Sequence, residues 1–467
     1  MQRLRGEVLY MGHMLTRRQF SWMMGASAFA QGKPSRPHII FYLSDDHGWD
    51  LAGCYGNKVI RTPHLDALAG QGMRFTKAFA ASPTCSPSRA ILYTGLHSAR
   101  NGLMGNHTRS KPGIRSIAQY LKELGYRVVL ANKTHVGPVE VFDFEYVKAV
   151  LPPVPGRLRK YRQEGLDTKV IDGLLAEHAR NRASQPLCLI CADNGPHVVW
   201  EKNRTYQPES IPLPPITVDT PMTRTAMANY YQDITSTDAR LGEVMASAKK
   251  HGFEENTLFV YTSDQGPEWP HSKWTVYDSG LRVPFVARWP GRIRANSVTD
   301  AMISFTDVTP TLVDVAGGKP VAGLDGSSFQ DVLLGKKKSF RTEIFASHTG
   351  DGEMNVFPQR GLRDLRYKYV LNLHPERRWT THFTLVDGIP ESHRDVYDTW
   401  VAKGRTDGAA AKLVETLERH AGEELFDTEK DPWELQNLAG RAEMAGVLAR
   451  MRARMKEMRE KLGDVDG

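Results

Sequence analysis

The chain has 467 residues, with 61 Lys and Arg against 53 Asp and Glu, a net charge of +8, and 40% hydrophobic residues. That is the composition of a soluble globular protein long enough for two domains, or for one large α/β domain with a smaller appendix. Of the surplus charge, +3 falls in the first thirty residues, and no compact Lys/Arg run with interleaved aromatics occurs; this excludes a nucleic-acid binder, while the remaining mild surplus suits an anionic substrate.

At the N-terminus, Thr16-Arg17-Arg18-Gln19-Phe20 precedes an uncharged stretch ending Ala28-Phe29-Ala30. Paired arginines, a modest apolar segment and an A-x-A site resemble a bacterial twin-arginine export signal over residues 1–30. The expected partner is then the twin-arginine export machinery, and the expected location is periplasmic or secreted; the alternative is a chance basic N-terminus on a cytosolic protein. Met14 is a second candidate start. No apolar run of about twenty residues occurs, so no stable membrane span is expected.

Residues 37–44, Pro-His-Ile-Ile-Phe-Tyr-Leu-Ser, form a continuous apolar run that predicts a strand buried on both faces. Asp45 and Asp46 then fall at its C-terminal end, where open α/β sheets bind ligands. Two adjacent carboxylates repel, and a hard divalent cation relieves the repulsion; a solvated or capping pair is the alternative. Thr62-Pro63 opens a helix as N-cap and first residue. Cys85-Ser86-Pro87-Ser88-Arg89 leads into an apolar helix over residues 90–94, which puts Cys85 near a helix N-terminus, where backbone N–H groups suit an oxyanion.

A helix over residues 117–124 and a strand over residues 126–131 lead to Asn132-Lys133-Thr134-His135, a polar cluster at a strand end. Cys188 and Cys191 lie inside the apolar run 186–192. Without a second Cys or His pair, a buried-strand reading is favoured over a redox or zinc site. That strand runs into Asp193-Asn194-Gly195-Pro196-His197. Met227, Tyr231, Ile234, Leu241, Met245 and Ala248 mark one face of a helix closed by Gly252. On that face Asp238 is expected to anchor a core hydrogen bond. A strand over residues 257–263 delivers Asp264-Gln265-Gly266, and Lys273 follows nine residues after Asp264. Beyond about residue 336 the expected strands, residues 344–347 and 367–372, belong to a smaller antiparallel sheet. A last helix is expected over residues 442–462.

Cys85-Ser86-Pro87-Ser88-Arg89 with Thr94-Gly95, the Asp45-Asp46 pair, Lys133-x-His135, Pro196-His197, Thr262-Ser263-Asp264-Gln265-Gly266 and Leu425-Phe426-Asp427 with Asp431-Pro432 together resemble the sulfatase family over residues 38–438. Within it the likeness is greatest to the N-sulfoglucosamine sulfohydrolase (heparan N-sulfatase) branch.

The resemblance implies an α/β fold: a large α/β/α sandwich with a mixed, mostly parallel sheet of the alkaline-phosphatase-like kind over residues 31–335. A smaller C-terminal α+β domain with an antiparallel sheet would follow over residues 336–467. It also implies that a formylglycine-generating enzyme converts Cys85 to formylglycine. Asp45, Asp46, Asp264, Gln265 and the modified Cys85 would surround Ca2+ or Mg2+. Arg89 and Lys133 would stabilise the anionic nucleophile, His197 with Lys273 would protonate the leaving group, and His135 would take the last proton. The implied substrate is a sulfated saccharide bearing a sulfate ester or a sulfamate.

Gln265 departs from the family pattern, which has Asn there. Two departures are from the N-sulfoglucosamine sulfohydrolase branch: Asn194-Gly195 replaces its His-Asp before Pro196-His197, and Lys273, which matches the lysine of the wider family pattern, replaces its Arg. Three readings compete with an N-sulfoglucosamine-type enzyme: an O-sulfatase on another sulfated polysaccharide, a phosphonate monoester or phosphodiester hydrolase, and a non-catalytic sulfated-glycan-binding protein.

Overall fold

The computed structural model describes residues 36–147, 165–352 and 354–464; the expected export signal lies outside them. Among the described residues up to 304, ten strands occur: β1 (His38–Ser44), β2 (Met73–Phe75), β3 (Ala78–Phe79), β4 (Arg127–Asn132), β5 (Glu145–Val147), β6 (Leu187–Ala192), β7 (Thr257–Ser263), β8 (Phe285–Arg288), β9 (Ser297–Thr299) and β10 (Ile303–Ser304). Eight of them form one sheet in the order β5-β4-β6-β1-β7-β8-β2-β9. The five from β5 to β7 run parallel, β8 is antiparallel to both neighbours, and β9 pairs parallel with β2.

The continuous apolar run of β1 has its reason in this sheet. Ile39, Phe41 and Leu43 point to one face, where they meet Ile91, Leu92, Leu121 and Leu312 of three helices. Ile40 and Tyr42 point to the other, where they meet Leu65, Leu68, Ile171, Leu175, Leu241 and Val244. Helices on both faces of a mixed, mostly parallel sheet make the α/β/α sandwich. Cys188 and Cys191 sit fully buried in β6, one in each of these clusters, as a structural reading requires. Among the described residues no helix is long and apolar enough to cross a membrane.

The second sheet holds β11 (Glu343–His348), β12 (Gln359–Asp364), β13 (Tyr367–Asn372) and β14 (Glu423–Asp427), all antiparallel. One face (Phe345, Leu362, Tyr369, Leu425) packs on Met451, Met455 and Leu462 of the helix Ala445–Leu462. The other (Ile344, Ala346, Val370, Phe426) joins the core of the sandwich. That last helix starts three residues later than its expected range, because Ala442–Met444 form a tighter 3-10 turn.

The long helix begins at Pro221, earlier than its apolar face suggests. Thr220 caps it by accepting from the Thr223 N–H, and Pro221 occupies its first position, where a missing N–H does no harm. On its buried face Asp238 accepts from the backbone N–H groups of His64 and Leu65 at 3.0 and 2.8 Å. These are donors of the first turn of the helix Pro63–Gly70, whose own N-cap, Thr62, makes no side-chain cap bond. An Asp238→Ala protein is expected to lose about 2 kcal/mol of unfolding free energy in urea, since it strands the buried Leu65 donor and the part-buried His64 donor; an unchanged midpoint would contradict the bracing role.

Candidate active site

Four of the parallel strands stand side by side as β4-β6-β1-β7, and each delivers polar residues from its C-terminal end. β1 delivers Asp45 and Asp46, β7 delivers Asp264 and Gln265, β4 delivers Lys133 and His135, and β6 delivers His197. The turns are tight: Asp46, Asn132 and His135 have φ of 67°, 72° and 47°, in the left-handed region that L-residues rarely adopt. The Asp46 turn is tied on both sides. Its N–H donates to Asp264 Oδ1 at 3.2 Å, and its carbonyl accepts from the Tyr230 hydroxyl at 2.5 Å.

Cys85 is the first residue of the helix Cys85–Thr94, all ten residues of which are buried. The spacing of the C-x-P-S-R stretch follows from this helix. Positions three and four apart share a face, so Cys85, Ser88 and Arg89 all look toward the end of β7. The Ser88 hydroxyl donates to the Asp264 carbonyl. Arg89 Nε and one terminal nitrogen both reach Asp264 Oδ2 at 2.9 Å. Pro87 falls in the first turn, where no intrahelical donor is needed. Gly95 ends the helix at φ 69°, its N–H donating to the Ile91 carbonyl at 2.8 Å. Gly266 is required for a different reason: a Cβ there would stand 2.0 Å from the Ser279 carbonyl oxygen. This close approach brings the segment carrying Lys273 against the Asp264 turn.

Nine of the ten predicted residues form one bonded network around Cys85, which is 1% exposed. The thiol donates to Asp45 Oδ1 at 3.5 Å, and the Gln265 amide lies 3.2 Å from the sulfur. Lys133 pairs closely with Asp45 Oδ2, and Arg89 reaches the same oxygen at 3.7 Å. Gln265 also donates to Asp46 Oδ1. Lys273 Nζ contacts Asp46 Oδ2 at 2.7 Å, and His197 Nε2 lies 3.8 Å from that atom. The tenth, His135, sits beside Lys133 with Nδ1 buried and unpartnered, and with Nε2 2.9 Å from His107 Nδ1.

Sequence reasoning missed three neighbours. Glu268, 2% exposed, contacts Lys273 Nζ at 2.8 Å and His197 Nε2 at 3.4 Å through Oε2, and His393 Nε2 at 3.0 Å through Oε1. His107 backs His135 and lies 3.7 Å from Asp351. No local pattern marks any of them. Only the position of Glu268 between Gly266 and Lys273 hints at the site.

The electrostatics are those of an anion and cation site. Burial, then the charges of Asp45, Glu268 and its other neighbours, push the Asp46 carboxyl well up despite Lys273. Burial and Asp45 push Asp264 to about 6. Asp45 goes the other way: burial would raise it, but Lys133, His197, Arg89 and Lys273 together hold it low. The Cys85 thiol is pushed up by burial and by Asp45, so as a thiol it is a poor nucleophile at neutral pH. Burial, then Lys133 and His107, lower His135 to about 2; burial and Lys273 lower His197 to about 4.

The residues present fit a hard divalent cation. One ligand oxygen from each of Asp45, Asp46 and Asp264 lies within 4.8 Å of the others, all fully buried. The Gln265 side-chain oxygen is buried beside them with no hydrogen-bond partner. Carboxylate and amide oxygens are the donors that Ca2+ and Mg2+ take; the longer Gln265, where the family pattern has Asn, touches the cluster through its amide nitrogen, which donates to Asp46 Oδ1.

Comparison with known proteins agrees with this architecture. A family model described as Sulfatase matches residues 37–318, and one described as N-sulphoglucosamine sulphohydrolase, C-terminal, matches residues 268–403. The chain is 34% identical to an ulvan-active sulfatase of Formosa agariphila, over 92% of this chain and 81% of that protein. It is 27% identical to the N-sulphoglucosamine sulphohydrolase of Homo sapiens, over 90% and 89%. A solved structure in complex with its substrate D-glucosamine-2-N,6-O-disulfate superimposes with a TM-score of 0.71 at 20% identity, covering 92% of this chain and 99% of that one, a likeness of fold. With a matching family model over more than half its length and a 34% identical relative along nearly all of it, the chain belongs to the sulfatase family of sulfuric ester hydrolases.

Proposed function

We propose that this protein is a divalent-metal-dependent sulfatase that removes sulfate from a sulfated saccharide, with an N-sulfoglucosamine-type sulfamate as substrate. The observation that carries the reading is the placement of Cys85: buried at a helix N-terminus, among three carboxylates and the cations Arg89, Lys133 and Lys273. Asp45, Asp46, Asp264 and Gln265 would hold Ca2+ or Mg2+. Bound there, the metal would neutralise charge on the sulfate and acidify a neighbouring hydroxyl, which Cys85 supplies once converted to hydrated formylglycine.

The chain's own side chains account for the rest. Arg89 and Lys133 hold the anionic nucleophile and sulfate oxygens in a site that excludes water, where such charge stabilisation is strongest. Lys273 and His197 face the leaving atom and donate its proton. His197 Nδ1 donates to the Val198 carbonyl at 2.6 Å, so Nε2 is the nitrogen left for chemistry; it has a proton to give only as the imidazolium, which burial and Lys273 disfavour and the negative charge of a bound sulfate favours. His135 takes a proton at Nδ1, its unpartnered nitrogen. Burial and Lys133 keep that ring neutral at pH 7, so Nδ1 is unprotonated and open to a proton.

The N-sulfo substrate is supported by the C-terminal family match and by the likeness to the human enzyme along nearly the whole chain. An O-sulfated saccharide is a second reading. It is supported by the higher identity to the ulvan-active sulfatase, and by Lys273 in place of the arginine of the N-sulfoglucosamine sulfohydrolase branch, which changes a bidentate grip into a point charge. We further infer a formylglycine-generating enzyme as maturation partner, export by the twin-arginine machinery, and a periplasmic or secreted location.

The test is sulfate release from N-sulfoglucosamine and from ulvan oligosaccharides, by protein matured with a formylglycine-generating enzyme. Release from the first is expected, with loss on chelation and recovery with Ca2+ or Mg2+. Release from the second alone would move the substrate to O-sulfated glycans. Faster turnover of a phosphonate monoester or phosphodiester would contradict the sulfatase reading. So would a protein that binds sulfated glycans and turns over none, with an unmodified Cys85.

A further inference from the structure

Lys273 stands where the N-sulfoglucosamine sulfohydrolase branch has arginine and the wider family pattern has lysine. A lysine ammonium on a flexible stem is not oriented by its own shape, so a neighbour must fix it. Two carboxylates do so: Asp46 Oδ2 at 2.7 Å and Glu268 Oε2 at 2.8 Å. Asp46 belongs to the candidate metal set. Glu268 does not, and it is the more specific device, because the same Oε2 also faces His197 Nε2 at 3.4 Å. One buried oxygen thus touches both groups read above as the proton donors.

The carboxylate is itself held. Its other oxygen, Oε1, accepts from His393 Nε2 at 3.0 Å. His393 is 1% exposed, its Nδ1 lies 3.0 Å from the Ser392 hydroxyl, and its ring packs against Phe383 at 4.8 Å between centroids. It sits at φ 37°, a left-handed conformation that a histidine adopts only when its surroundings impose it. The carboxylate therefore works as a two-ended fork. One oxygen is anchored 125 residues further along the chain, and the other is presented to Lys273 and His197. A buried carboxylate without these partners would be costly, so the arrangement is a fully satisfied unit rather than an incidental contact.

We propose that Glu268, oriented by His393, is the positioning residue that holds Lys273 Nζ and His197 Nε2 at the leaving atom of the scissile sulfate. This rests on the reading of Lys273 and His197 as donors. It goes beyond it by naming what orients the lysine and by giving the region around residue 393 a part in the chemistry. No new bond is made or broken by Glu268; it fixes where the donated proton comes from.

A purely structural Glu268 and a positioning Glu268 differ in one observable. A good leaving group departs without protonation, whereas a sugar alkoxide or amide does not. The measurement is kcat/KM of Glu268→Gln on para-nitrophenyl sulfate, phenyl sulfate and the saccharide sulfate that the wild type hydrolyses. The expected loss is about a hundredfold on the saccharide, the scale of positioned acid catalysis, and about tenfold less than that on the nitrophenyl ester, so that the dependence on leaving-group basicity steepens. An equal loss on all three overturns the proposal.

Should Glu268→Gln fail to fold, His393→Gln carries the same test, with the same split expected and an even loss overturning it. Wild-type protein confirmed to carry formylglycine, yet inert on every sulfate ester, overturns the donor assignment and this proposal with it. Activity on the nitrophenyl ester with an even loss in the variants overturns this proposal alone.

Discussion

Cys85→Ala protein is expected to release no sulfate above background, a loss of roughly a million-fold, the scale seen when a covalent catalyst loses its nucleophile. The same protein should fold. The side chain lost is one sulfur atom in a buried position, and truncation of that size costs about 1 kcal/mol. Arg89, Lys133 and the three carboxylates keep their mutual contacts, because none of those contacts passes through the sulfur. Sulfate release together with a thermal melt separates the two effects. Substantial residual activity with an unchanged melt would mean that the nucleophile lies elsewhere.

Arg89→Ala carries the second-largest expected effect, and it acts on both stability and turnover. Arg89 is fully buried, reaches Asp264 through two nitrogens at 2.9 Å, and lies 3.7 Å from Asp45. Those contacts to Asp264 and Asp45 outweigh the burial that would lower its own pKa. Removing it leaves carboxylates buried with less compensation, which costs about 3–5 kcal/mol. Turnover should fall on the order of a thousandfold, since a buried cation facing developing negative charge is lost at the same time. Arg89→Lys should fall between: it keeps the charge but cannot make the double contact to Asp264. Urea denaturation and kcat/KM on one sulfate ester would check both; wild-type turnover in Arg89→Ala would remove Arg89 from the anion site.

What could be read from the sequence, and what could not, follows from where each residue sits. Asp45, Asp46, Asp264 and Gln265 were legible because each directly follows a continuous apolar run, and parallel strands buried on both faces put such run ends together at one edge of the sheet. The C-x-P-S-R stretch was legible through its resemblance to the sulfatase signature, and the structure explains its spacing as that of one helix face. The antiparallel second sheet was expected from two of its four strands. β12 and β14 were not foreseen: β12 begins Gln359-Arg360-Gly361, too polar for a strand pattern, although its residues are buried by pairing on both sides.

Glu268, His393 and His107 escaped for a different reason. Each owes its place to a partner far along the chain, and neither periodicity nor turn chemistry records such a meeting. The Lys273 departure from the N-sulfoglucosamine sulfohydrolase branch was visible, but its orientation by Glu268 needed coordinates. That is the ordinary division: backbone-driven placement is local in sequence, whereas side-chain networks that tune a site are not.

The central claim is that Cys85 is the precursor of the nucleophile in a sulfatase. Its most direct test is mass spectrometry of the Cys85-bearing peptide, from protein preparations of graded maturation, set against their sulfate release. The account predicts formylglycine at position 85 in active preparations, with turnover rising in proportion to its occupancy. Full activity from protein whose Cys85 remains an unmodified thiol would contradict it.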